Sequence, residues 1–231
     1  MTNKHPLFGV AITEAEYANE WEENSRYFSD NGHYMWMLEQ LGGAELVLEI
    51  GCGAGLSTIN LATAGKKVIS IEVNKAASIS AKTKLEKNGI SVELIHLEDL
   101  QHPISWSGCQ VKILHCDVFD EGVLKVIQRD SVDAIICWMT GSYPEHIANV
   151  LDIDYRSFEG GEMAEYRTKI QRRCYELGST TLKIGGIVHI VDRTTMMSWN
   201  DKDILRGVLV ERQSELAGNS YSISKPDTFF S

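Results

Sequence analysis

The run Val47-Leu-Glu-Ile-Gly-Cys-Gly-Ala-Gly-Leu-Ser57 constrains this chain more than any other feature. An apolar strand passes directly into three alternating glycines, Gly51, Gly53 and Gly55, and then into helical sequence. Glycine lets a backbone bend sharply and approach a ligand closely, and the first turn of the following helix offers unpaired N–H groups. A turn of this kind belongs at the carboxyl end of a parallel strand, where open α/β sheets bind ligands.

The rest of the chain fits that frame. Apolar runs of strand length recur at Glu45–Ile50, Lys67–Glu72, Val111–Cys116, Val132–Trp138 and Ile187–Val191. They are rich in Val and Ile and too continuously apolar to have a wet face, as buried parallel strands are. Candidate helices lie between them at Leu56–Ala64, Lys75–Lys87, Glu121–Arg129 and Glu162–Leu182. The last carries Met163, Tyr166, Ile170, Cys174 and Leu177 on one face. Lys183-Ile-Gly-Gly186 reads as its stop, with a glycine cap. The alternation predicts a doubly wound α/β fold, a mostly parallel sheet with helices on both faces, in one domain over 1–231. Another helix is expected around Leu205–Leu216, then an edge strand at Tyr221–Ser224.

Two segments exceed a minimal alternation. Val92–His96 reads as an additional strand, followed by a polar, turn-rich stretch to Gln110. At the other end, Glu14–Leu41 is helical in pattern, broken at Asp30-Asn31-Gly32, and carries Tyr17, Trp21, Tyr27, Phe28, Tyr34 and Trp36. Residues 1–42 are read as a helical cap or lid on a core of residues 43–231.

Composition narrows the classes. No window approaches the roughly 20 apolar residues of a membrane span, and residues 1–10 lack the layout of a signal peptide, so a cytoplasmic protein is expected. Five scattered cysteines without a CxxC pair argue against a disulfide framework or a zinc ribbon. The dispersed histidines offer no metal-ligand spacing, and no metal is expected. Net charge is -10, and residues 1–50 hold nine acids against Lys4 and Arg26. That balance opposes a polyphosphate partner and leans toward neutral or cationic substrates.

The glycine turn separates cofactor classes. A P-loop needs Gly-Lys-Ser/Thr, but Leu56 follows Gly55. A dinucleotide turn needs its third glycine where Leu56 stands, so the spacing here is GxGxG. At this point the chain resembles the class I S-adenosylmethionine-dependent methyltransferases, over roughly Leu46 to Val191. The resemblance implies a Rossmann-like core that binds S-adenosyl-L-methionine and releases S-adenosyl-L-homocysteine. It implies that Glu49, Gly51, Cys52, Gly53 and Gly55 surround the amino acid part of the cofactor. Glu72, followed by Val73, would hold the ribose. Asp117, followed by Val118, would stand near the adenine amino group, with Asp99 as its rival. Leu182-Lys-Ile-Gly-Gly-Ile187 matches the family's entry into its fifth strand.

The acceptor should lie beyond the strands ending near Trp138 and Val191. Cys137-Trp-Met-Thr-Gly-Ser-Tyr-Pro144 lacks the Asp/Asn-Pro-Pro-Tyr/Phe of amino-methylating DNA enzymes. Ser142 and Glu145 have capping-box spacing, with Pro144 opening a helix. Trp138 is expected against the cofactor. Trp138-Met139 and Tyr27-Phe28 echo the protein arginine methyltransferases, but Cys137 replaces the glutamate that orients a guanidinium there. Residues 139–160, with Tyr143, His146, Asp152, Asp154 and Tyr155, are expected to contact substrate, with Tyr143 and His146 as catalytic candidates. Methyl transfer to a small molecule or to a peptide or protein side chain is the leading reading. A non-catalytic cofactor-binding or interaction protein on the same fold is the alternative.

Overall fold

The computed structural model describes residues 13–106, 108–154, 158, 161–193 and 198–224. Six strands form one sheet: β1 Leu46–Ile50, β2 Lys67–Glu72, β3 Val92–His96, β4 Val111–His115, β5 Val132–Trp138 and β6 Leu182–Val191. Their order is β3-β4-β2-β1-β5-β6, and every neighbouring pair is parallel. The helices are α1 Glu14–Asp30, α2 His33–Glu39, α3 Leu56–Thr63, α4 Lys75–Lys87, α5 Val123–Val126, α6 Pro144–Leu151, α7 Glu162–Thr181 and α8 Lys202–Ala217.

The central strands are apolar on both sides because both sides are covered. Val47, Val68, Ile113 and Ile136 pack with Met37, Leu61 and Leu85 of α2–α4 and with Leu41 just after α2. Leu48, Ile71, Leu114 and Ile135 pack with Ile147, Ile170, Cys174 and Leu177 of α6 and α7. The chain builds outward from β1 through β2 and then returns to β1's other side with β5. The crevice between the carboxyl ends of β1 and β5 is therefore the topological switch point, where this architecture binds ligands.

β3 takes the sheet edge, and β4 is inserted between it and β2. The stretch joining β3 to β4 covers the sheet: Leu97, Leu100, Ile104 and Trp106 pack on the α5–α7 face. Elsewhere the local reading is corrected. α7 ends at Leu182 in extended conformation, and β6 starts there, five residues before the sequence suggests. Gly185, at φ 80°, sits inside that strand rather than capping the helix, near a register shift opposite Val132/Ala134. The helix expected at Glu121–Arg129 shrinks to Val123–Val126. Tyr221–Ser224 is not a strand; the Tyr221 hydroxyl instead donates to the Tyr175 carbonyl at 2.9 Å. Ser142 does not cap α6, because the helix starts one residue later, with Tyr143 at its N-cap and Pro144 in its first turn.

Candidate active site

All three glycines of the β1–α3 turn have positive φ: 79° at Gly51, 51° at Gly53 and 85° at Gly55. L-residues pay for that conformation, so the spacing follows from the backbone path. Close approach adds a second reason. A Cβ on Gly55 would stand 2.9 Å from the Ala81 Cβ, and one on Gly53 would stand 2.8 Å from the Trp21 ring.

Glu49 braces the turn from beneath. Its carboxylate accepts from the hydroxyls of Ser57 at 2.5 Å, Thr58 at 2.6 Å and Ser70 at 2.5 Å. This ties the first turn of α3 and the middle of β2 to β1. Burial raises the Glu49 pKa, and the three hydroxyls oppose the shift. Cys52 is also turned inward, into the α2–α4 side of the core, its thiol pushed up by burial and by Glu72.

Glu72 closes the turn from the side. One carboxylate oxygen accepts the Gly53 N–H at 2.7 Å and the other accepts the Asn74 N–H at 2.8 Å. Each oxygen keeps a further lone pair, which suits a vicinal diol. Burial pushes this carboxyl up to about 7, against the two amide hydrogen bonds. Val73 bridges Glu72 to Asn74, which caps α4 through the Ala77 N–H at 2.9 Å.

Asp117 stands two residues beyond His115, the register partner of Glu72, so the ends of β2 and β4 bring the two acids to one side of the cleft. Asp99 lies in a 3₁₀ turn after β3, separated from β2 by β4. His146 is buried between the rings of Tyr143 and Tyr166, each 5.7 Å away. Its Nε2 lies 3.7 Å from Asp117 and has no hydrogen-bond partner among the described residues. Burial lowers the His146 pKa, while Asp117 and Glu14 pull it the other way. Tyr143 is partly buried, its pKa raised by burial and then by Glu14, Glu145 and Asp117. The structure thus gathers Tyr143 and His146 with Asp117. Val118 packs into the α5–α7 side of the core, and its carbonyl accepts from Arg173 at 3.0 Å.

The switch point itself is made by Thr140 and Gly141. Met139 takes φ 56° at the end of β5, and the Thr140 hydroxyl then donates to the Ile50 carbonyl at 2.9 Å. The Tyr17 hydroxyl would lie 2.7 Å from a Cβ on Gly141. Burial and then Glu72 raise the Tyr17 pKa; Arg167 and Arg193 lower it. Arg167 pairs with Asp192 at 3.4 Å, and the Arg193 guanidinium lies 5.4 Å from the Trp21 ring centre. Trp138 does not line this cleft. Its indole donates to His189 at 3.0 Å and stacks near Tyr34, in the core beneath α2.

Tyr17, Trp21, Gly51, Gly53, Glu72, Asn74, Thr140 and Gly141 therefore surround one cleft. Tyr17 and Trp21 belong to the aromatic set visible in the sequence. Asn74, Thr140 and Arg167 carry no motif; an Asn directly after the strand-end acid and before a helical run is the one local signal among them. Tyr155 lies outside the described residues.

Residues 47–106 match the model of a family described as a methyltransferase domain. No curated protein matches the chain by sequence. Among similar solved structures is a candidate S-adenosyl-L-methionine-dependent methyltransferase of Methanococcus maripaludis. It is 14% identical with a TM-score of 0.51, and the match covers 87% of this chain and 82% of that one. Another is geranyl diphosphate C-methyltransferase of Streptomyces coelicolor A3(2), in complex with Mg2+, a thiolodiphosphate analogue and S-adenosyl-L-homocysteine. It is 15% identical with a TM-score of 0.43, over 69% of this chain and 42% of that chain. The chain thus spans less than half the length of that enzyme. The fold is that of the class I S-adenosylmethionine-dependent methyltransferases, and the matched segment runs from β1 through the stretch after β3.

Proposed function

We propose that this chain is an S-adenosyl-L-methionine-dependent methyltransferase acting on a small molecule or on a peptide or protein side chain. One observation carries the reading: the glycine turn after β1 and the acid ending β2 are hydrogen-bonded to each other in one cleft at the switch point. The residues fit the cofactor. Gly51 and Gly53 bring the backbone of the turn to the cleft, where an amino acid moiety would lie, and the Glu72 carboxylate retains acceptor capacity for two ribose hydroxyls. Asp117 would take the adenine amino group. His146 acts in this reading as a positioning residue for Asp117, because its free nitrogen faces that carboxylate.

When bound, the cofactor supplies an activated methyl group on a sulfonium. The chain's own task is to orient the nucleophile and exclude water, which carries much of the rate in such displacements. A general base is required only for an acceptor that arrives protonated. The acceptor side is then Thr140, Gly141, Arg167 and Arg193, with Tyr143 at its margin. Residues 1–42 form the cap and 43–231 the core of a single domain. The acidic balance and the missing Asn-Pro-Pro-Tyr-type sequence disfavour nucleic acid as acceptor. Among the described residues no helix is long and apolar enough to cross a membrane, and the cytoplasm is the proposed compartment.

S-adenosyl-L-homocysteine should raise the melting temperature, while NAD and ATP should not; equal stabilisation by NAD would overturn the assignment. Incubation with methyl-labelled cofactor and cell extract should then transfer label to an acceptor. Tight cofactor binding with no transfer to any fraction would favour a non-catalytic cofactor-binding protein.

A further inference from the structure

We infer that α1 is an autoinhibitory plug: Tyr17 and Trp21 occupy the cofactor cleft, and the helix must swing away before the cofactor can enter. The inference rests on the cofactor assignment above and adds a gate to it. Trp21 lies against the backbone of Gly53, and Tyr17 reaches Gly141 across the switch point. The cavity left between them, the turn and Glu72 is about 20 Å³, space for roughly one water, whereas cofactor pockets run to roughly 300–1,000 Å³. Tyr17 and Trp21 line the same cleft as Gly51, Gly53 and Glu72, which are proposed to hold the ligand.

α1 is built to move as a unit. Its amino end has its own capping box, with Thr13 accepting from the Glu16 N–H and the Glu16 carboxylate reaching back to the Thr13 N–H. Along its 17 residues only Ser25 and Phe28 are buried as whole residues, both toward its carboxyl end; elsewhere it is held chiefly by the Tyr17 and Trp21 rings in the cleft. α2, with 7 residues, buries His33, Tyr34, Met37 and Leu38. Between the two stands Gly32 at φ 74°, with nothing within 4 Å of where its Cβ would be. A hinge there leaves α2 anchored while α1 pivots.

Polar latches to α4 hold the closed position. The Asn74 side chain donates to the Glu14 carbonyl at 2.7 Å, and the Glu14 carboxylate accepts the Lys75 N–H. Lys84 donates to Glu22 at 2.8 Å. The Asn74–Glu14 and Lys84–Glu22 bonds are half-buried and the Lys75–Glu14 bond is exposed, and water can replace all three once α1 lifts. The closed state therefore competes with the cofactor, and measured affinity is reduced by the fraction of molecules that are open.

This fixes a sign. A lid that embraces its ligand loses affinity when its aromatic contacts are removed; a plug gains it. The test titrates S-adenosyl-L-homocysteine calorimetrically into the full wild-type chain, Trp21→Ala and Lys84→Met, and follows hydrogen exchange with and without ligand. Trp21→Ala should tighten binding about tenfold, and Lys84→Met, remote from the cleft, about two- to threefold. Ligand should speed exchange across residues 14–30 while slowing it across 47–55. Weaker or unchanged binding by Trp21→Ala, or ligand-induced protection of α1, overturns the plug and leaves the methyltransferase reading intact. If Trp21→Ala does not fold, Lys84→Met and the exchange pattern decide alone. No binding by wild type but binding by either variant supports the plug; no binding by any form sinks the cofactor assignment and the plug together.

Discussion

The two walls of the cleft are made differently. The wall of β1, β2, α3 and α4 is braced by its own hydrogen bonds: Glu49 accepts three hydroxyl bonds, Glu72 two amide bonds, and the turn's glycines hold their φ values for stated steric reasons. The wall made by the end of β5, α6 and α7 carries unspent potential. Met139 sits at φ 56°, a conformation that costs on the order of 1 kcal/mol or more. His146 Nε2 and Arg167 Nε are buried with no hydrogen-bond partner among the described residues. A braced wall presents groups already fixed in place to a ligand, Glu72's remaining lone pairs among them, whereas a wall with unpaired buried atoms can rearrange to meet one. The first is the cofactor's wall in our reading and the second the acceptor's, and substitutions can break that division.

The largest expected effect is on the pH dependence of folding. Burial lifts Glu72 to about 7, above its ordinary value of 4.5. Between those values the folded state holds a proton that the unfolded state has lost. The Glu72 contribution to stability should therefore fall as pH rises from about 4.5 to about 7, by up to about 3 kcal/mol, while buried His189, lowered to about 4, contributes the opposite slope below 6.5. Glu72→Gln should remove that contribution, so that stability rises more steeply with pH than in wild type, measured by urea denaturation at stepped pH. An unchanged slope would mean that the acid is not buried as described.

Next in size, Glu72→Ala should weaken S-adenosyl-L-homocysteine binding by about 2–3 kcal/mol, since it removes charge-assisted bonds. Calorimetric affinity equal to wild type would place the cofactor elsewhere. Gly55→Ala tests the same wall as structure rather than as site. Its Cβ would meet the Ala81 Cβ at 2.9 Å and the Ala81 Cα at 3.0 Å, at φ 85°. It should cost about 2–3 kcal/mol of stability. Gly32→Ala has the same kind of φ but open space around it, and should cost only about 1 kcal/mol.

The contrast between the walls also explains what the sequence could disclose. The cofactor wall is local: strand, three glycines and helix are contiguous, and Glu72 ends a run of apolar residues, so both were legible. The division into α1 and α2 at Asn31-Gly32 was legible for the same reason. Glu49 and Trp138 were not separable from ligand contacts, because which way a side chain at a strand's end turns is decided by what packs there. Glu49 finds hydroxyls on α3 and β2, and Trp138 finds Tyr34 and His189. The capping signal at Ser142 failed because α6 begins one residue further on, with Tyr143 at its N-cap. Thr140 and Arg167 gained meaning only once β5 and α7 had been placed side by side. Glycine spacing similarly misread Gly185, whose positive φ serves an irregularity in β6 rather than a helix end.

The smallest effect tests the order of the strands beside the cofactor wall. Two acids, Asp99 and Asp117, each follow a strand, and only the sheet order separates them. β4 pairs directly with β2, matching Glu72 with His115, while β3 pairs only with β4 at the edge. The His115 ring nitrogen and the Cys116 N–H both approach the Glu72 carbonyl, at 3.1 and 3.2 Å, which pins Asp117 to the Glu72 side. A single contact to an amino group is at stake, so Asp117→Ala should cost about 1 kcal/mol in binding, several-fold in Kd. Asp99→Ala should leave Kd unchanged. His146→Gln should follow Asp117→Ala in kind but be weaker, because it only orients the acid. Calorimetry with S-adenosyl-L-homocysteine reads all three. The reverse ranking, with Asp99→Ala harmful and Asp117→Ala silent, would mean that β3 rather than β4 lies against β2, and with it the placement of the whole 97–110 stretch would be wrong.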